Sequence, residues 1–76
     1  MAAVEVDGLD RMGMLEDIVE LVSRKFNINI RSMNISTSRE VFHCQMSFYV
    51  DNTDTVNSLC EKLLDIKGVK FAKRTS

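Results

Sequence analysis

The chain has 76 residues, 45% of them hydrophobic and 28% charged, and contains no proline. Ten basic and eleven acidic side chains leave a net charge of −1, without the basic excess of a nucleic-acid binder. A chain this short makes a single domain, residues 1–76, which buries only about 60% of its unfolded surface and gains from dimerisation.

Val4 and Val6 alternate with Glu5 and Asp7, the period of a half-buried strand. Gly8 permits a turn after it. Asp10 is suited to cap a following helix, and Arg11-Met12-Gly13 bends the chain into that helix. The helix is predicted over Arg11–Phe26, with Leu15, Ile18, Val19, Val22 and Phe26 as its apolar stripe. Glu20 and Arg24 are spaced for an i,i+4 pair. A glycine at position 13 lets a ligand or another chain approach the backbone, and the helix N-terminus favours an anion such as a carboxylate.

Asn27–Ser38 reads as a long strand with a fault in it. Ile28 and Ile30 share one phase, Met33 and Ile35 the other, so a β-bulge is predicted near Arg31-Ser32. A turn at Ser38-Arg39 leads to the most regular strand, Glu40–Val50. There Phe42, Cys44, Met46, Phe48 and Val50 face the helices, and Val41, His43, Gln45, Ser47 and Tyr49 face away. After the capping residues Asp51–Asp54 a second helix is predicted over Thr53–Ile66, burying Val56, Leu59, Cys60, Leu63 and Ile66. Gly68 ends it, and Val69–Arg74 forms a last strand with Val69 and Phe71 inward and a basic, edge-like remainder.

The order β-α-β-β-α-β, with one apolar stripe per helix, predicts an α+β fold. It is a ferredoxin-like sandwich: a four-stranded antiparallel sheet with two helices on one face. The first and third strands are then central. The second strand, long and exposed, is the natural edge for a homodimer.

Nothing in the sequence assembles catalytic machinery, a metal site or a cofactor site. Cys44 and Cys60 are too few for a zinc site, and no second histidine accompanies His43. They read as buried reduced thiols, and His43 as a partly exposed sheet residue. An acylphosphatase-like anion cradle needs more glycines than Gly8 and Gly13, and Asp7 and Asp10 would repel phosphate. A metal carrier of this topology needs two thiols in the first turn. An RNA-binding sheet needs more than Tyr49 and His43 on its open face. No run of residues is long and apolar enough to span a membrane, no signal peptide is visible, and a cytoplasmic location is expected. Beginning and ending on strands, the chain is expected to belong to a larger protein.

Asp10-Arg11-Met12-Gly13-Met14-Leu15, then Ile18, then Asn29-Ile30, resembles the D-R-x-G-[LM]-L-x-x-I…N-[IV] pattern of ACT domains. The resemblance runs from Val4 to Arg74. Residues 10–18, 29–35 and 69–74 look most like the C-terminal ACT domain of RelA/SpoT-type (p)ppGpp synthetases/hydrolases, the GTP pyrophosphokinases. The resemblance implies a regulatory rather than catalytic domain, which dimerises side by side and binds an amino acid between protomers. It implies as parent a GTP pyrophosphokinase of the stringent response, controlled through this domain. Met12 and Met14 depart from the smaller or branched residues frequent at those positions.

On that footing the ligand site is expected where Leu9, Asp10, Arg11, Met12, Gly13, Met14 and Leu15 of one chain meet Asn29 and Ile30 of another. Leu9, Met12, Met14 and Ile30 would line an apolar pocket, and Asn29 would hold the ammonium or carboxylate. The plainer readings are a packing glycine at 13, a solvated Arg11, a capping Asn29 and methionines that fill the core. The rival function is a protein-interaction module with no small ligand, or an ACT domain of another regulator of amino-acid metabolism.

Overall fold

The computed structural model describes residues 1–76. Its elements are β1 (Ala2–Leu9), α1 (Met14–Val19) running on as a π-helical segment (Glu20–Lys25), β2 (Ile30–Ser38), β3 (Val41–Phe48), α2 (Thr53–Leu63) and β4 (Val69–Arg74). The strands form one antiparallel sheet in the order β2-β3-β1-β4, so the expected central and edge strands are those observed. No helix is long and apolar enough to cross a membrane.

Alternation in β1 and β3 builds the core. Ala2, Val4 and Val6 face Phe48, Met46 and Cys44 across the central pair, and all are buried. Against them pack Met14, Ile18 and Val22 from the first helix and Val56, Leu59 and Leu63 from α2. The bulge expected in β2 is present, with the register shifting between Ile30 and Ser32. It brings Ile30, Met33 and Ile35 onto the helix side, opposite Phe48, Met46 and Cys44. Asn52 caps α2, its side chain accepting from the Thr55 N–H at 2.9 Å.

Several local expectations are corrected. The first helix begins at Met14 rather than Arg11, because Gly13 stands in the left-handed region (φ 87°) and holds the chain outside the helix until then. The buried stripe is therefore Met14, Ile18 and Val22, while Leu15 is 39% exposed. Asp10 caps nothing; the helix start has no side-chain cap. Glu20 and Arg24 form no ion pair, and lie in or beside the wider π-helical turns. Gly8 is not a turn residue but the inward-facing position of β1 after Ala2, Val4 and Val6. A Cβ there would stand 2.4 Å from the Gly68 carbonyl oxygen. The hairpin turn is Arg39-Glu40, both at positive φ (53° and 67°), a two-residue turn of the primed kind that matches strand twist. Helix α2 ends at Leu63, and two turns lead to Gly68. Phe71 faces outward: β4 pairs Val69 with Gly8 but Phe71 with Asp7, so Lys70 is the extra residue of a bulge and Ala72 takes the inward place.

Candidate functional site

The turn between β1 and α1 is tied down from three sides. The Leu9 N–H donates to the Gly68 carbonyl at 2.9 Å, and the Asp10 N–H donates to the Glu40 carbonyl at 2.9 Å. The third tie is Arg11. Its Nε donates to the Lys67 carbonyl at 2.8 Å, its Nη1 to the Met12 carbonyl at 3.0 Å, and its Nη2 to Asp17 Oδ2 at 2.7 Å. Arg11 is therefore not a solvated side chain but a clamp joining the turn, the α2–β4 connection and the first helix. Three of the five guanidinium N–H groups are engaged within the chain, and Asp17 already partners its charge.

The clamp leaves backbone donors open. At the helix start only Met14, which donates to the Arg11 carbonyl at 3.2 Å, and Asp17, which donates to the Gly13 carbonyl at 2.9 Å, are bonded. The N–H groups of Arg11, Met12, Gly13, Leu15 and Glu16 have no acceptor in the chain. Such a set of unpaired donors at a helix N-terminus suits an anion. Gly13 is required by its φ; a Cβ at that position would only touch the Arg11 Nη1 at 3.4 Å.

The expected site residues separate into three groups. Leu9 (52% exposed), Met12 (97%) and Leu15 (39%) project from the turn as apolar surface, with Asp10 exposed beside them. Met14 is buried at 1% exposure, so the apolar wall expected of it falls to Leu9 and Met12. Asn29 is exposed and Ile30 half-buried, and both lie at the other end of the molecule. Ile30 pairs with Phe48, which pairs with Ala2; Leu9 pairs with Val41, which pairs with Ser38. Eight strand steps put Ile30 about 26 Å from the Ser38 end of the sheet. One chain alone does not bring the two halves of the expected site together.

Two clefts flank the first helix. One, of about 470 Å³, lies between the two helices over Leu21, Phe26 and Ile66, ringed by both signs of charge. The other, of about 450 Å³, runs along Leu15 and Val19 beside Glu16, Glu20 and Arg24. The second adjoins the turn. Sequence reasoning also missed a contact on the open sheet face, where His43 Nδ1 and Asp7 Oδ1 hydrogen-bond. Its residues are 36 positions apart, and only the strand register reveals it.

The family model described as ACT domain matches residues 1–74. The crystal structure of the ACT domain from GTP pyrophosphokinase of Chlorobium tepidum is similar at 31% identity, covering 97% of this chain and 95% of that one, with a TM-score of 0.87. The solution NMR structure of the same domain gives 32% identity, coverage of 99% and 84%, and a TM-score of 0.86. A homoserine dehydrogenase from Thiobacillus denitrificans shares the fold at 21% identity, over 96% of this chain and 16% of that one, with a TM-score of 0.70. No curated protein matches.

Proposed function

The chain belongs to the ACT-domain family, a regulatory domain similar to that of a GTP pyrophosphokinase, and from that premise we propose that it senses a small amino acid for such an enzyme. In this reading the domain is joined to catalytic domains in a cytoplasmic parent, forms a homodimer along β2, and adjusts (p)ppGpp synthesis and hydrolysis. The carrying observation is the set of unpaired N–H groups of Arg11, Met12, Gly13, Leu15 and Glu16, held in place by the Arg11 clamp and open to a carboxylate.

The edge strand supports the dimer. Ile35 is 41% exposed although it faces the helix side, opposite the buried Cys44. A two-fold dimer pairing β2 with β2 antiparallel would bring the partner's N-terminal end of β2 beside Ser38, at the end of the sheet that bears the turn. Asn29 and Ile30 of one chain would then complete the pocket of the other. A ligand bound across that junction favours one dimer arrangement, and shifts the attached domains by its differential affinity.

Met12, at 97% exposure, favours a second reading, in which the turn is an apolar protein contact and no small ligand binds. Sedimentation velocity of the wild-type chain and of Ile35→Lys, with and without added amino acids, tests the dimer on which the first reading depends. We expect the wild type to dimerise in the micromolar to millimolar range, the variant to remain monomeric, and an amino acid to tighten only the wild-type dimer. A wild-type chain that is monomeric throughout removes the shared site.

A further inference from the structure

The open face of the sheet carries a cluster that the turn does not use. Glu5 and Asp7 stand two apart on β1 and project from the same face, and His43 on β3 is the register partner of Asp7. A carboxylate oxygen from Glu5, one from Asp7 and a ring nitrogen of His43 all lie within 4.8 Å of one another, on half-buried residues. His43 Nδ1 bonds to Asp7 Oδ1, whereas the Glu5 carboxylate makes neither a hydrogen bond nor an ion pair. Its register partner on β4 is Lys73, the obvious cation to neutralise it. The Lys73 ammonium lies instead over the Phe71 ring, 5.2 Å from its centroid. Two carboxylates thus share one imidazole and no lysine or arginine.

We propose that Glu5, Asp7 and His43 bind a divalent transition-metal ion of the Zn²⁺ type. Imidazole beside carboxylates suits Zn²⁺ and its first-row neighbours, while Ca²⁺ and Mg²⁺ seek six or more oxygen donors that this face does not supply. Three protein donors with one position left to water or to another donor is a common zinc arrangement. Bonds of 2.0–2.2 Å in a tetrahedron hold donor atoms roughly 3.4 Å apart. The three donors already lie within 4.8 Å of one another, so binding would require rotation of the Glu5 side chain and opening of the His43–Asp7 contact. Both strands are central in the sheet, so the backbone that carries the ligands is rigid. The bound ion would clamp β1 to β3 and present its open position to whatever meets that face.

The test is titration of the 76-residue chain with Zn²⁺ by calorimetry, and with Co²⁺ by visible absorption, beside Glu5→Gln, His43→Ala and Cys60→Ser. We expect one ion per chain at micromolar Kd and a ligand-field Co²⁺ spectrum. Glu5→Gln and His43→Ala should each weaken Zn²⁺ at least about tenfold. Cys60→Ser should leave the affinity unchanged, and millimolar Mg²⁺ should not compete. Amide NMR spectra of the variants report that the sheet is intact. Absence of saturable Zn²⁺ binding below millimolar, or wild-type affinity in Glu5→Gln or His43→Ala, overturns the proposal.

Discussion

Replacing Gly8 by alanine adds one methyl group where the backbone leaves no room for it. The new Cβ would lie 2.4 Å from the Gly68 carbonyl oxygen and 2.9 Å from the Val69 Cα, both backbone atoms that no rotamer change can move. Overpacking of this kind costs about 1–3 kcal/mol. Relief requires shifting the carbonyl that accepts the Leu9 N–H at 2.9 Å, which forfeits roughly another 1 kcal/mol. The sum, about 2–4 kcal/mol, is a large share of the ~5 kcal/mol expected of so small a domain. At 4–8 °C per kcal/mol, Tm should fall on the order of 15 °C. Thermal and urea unfolding followed by far-UV circular dichroism measure it. Gly13→Ala is the comparison: it meets only the flexible end of the Arg11 side chain at 3.4 Å and is opposed chiefly by its φ, at about 1 kcal/mol. Asparagine, which tolerates that φ, should recover much of the loss at position 13 and none at position 8. A loss below about 0.5 kcal/mol in Gly8→Ala would refute the close-approach argument.

Phe48 is fully buried between the central strands and the helices, so Phe48→Ala should cost roughly 3–5 kcal/mol and leave the chain marginally stable at 25 °C. A urea midpoint within experimental error of the wild type would contradict the core assignment. Burial pushes the Cys44 thiol from 9.0 up to about 11. The folded state therefore holds the proton more tightly than the unfolded one, and this contribution is intact below pH 9 and lost as pH rises towards 11. Urea midpoints across that range should fall, less steeply in Cys44→Ala. A thiol reagent at pH 8 should modify Cys60, which is half-buried, well before Cys44.

Much of the fold is legible in the sequence because the pattern that encodes it is periodic. Alternation over Phe42–Phe48 names the inner face of β3, and the phase change between Ile30 and Met33 marks the bulge in β2. Features set by non-local contact leave no such trace. The bulge that turns Phe71 outward arises where β4 passes Gly8, and position 71 alternates with Val69 as an inward residue would. The first helix reads equally well with Leu15 or Met14 inward, and the left-handed Gly13 decides for Met14. At the site, the turn and its glycine were readable from residue types. Arg11 was not, because its partner Lys67 lies 56 positions away and offers a backbone carbonyl, which any residue could supply. The Glu5–Asp7–His43 cluster escaped for the same reason: ligands from two strands have no sequence spacing, only a register.

A sensor role requires the β1–α1 turn to receive an amino acid through its open backbone donors. Calorimetric titration of the wild-type chain with the standard amino acids, beside Gly13→Asp, tests it most directly. Aspartate tolerates the left-handed backbone better than most residues, so the variant should fold and dimerise. Its carboxylate would stand among the donors and repel a ligand of like charge. The sensor role entails saturable binding of a small amino acid, a branched-chain one foremost, to the wild type at up to millimolar Kd, and none to the variant. A wild-type dimer that binds no amino acid at millimolar concentration, or a Gly13→Asp chain that binds as well as the wild type, would contradict it.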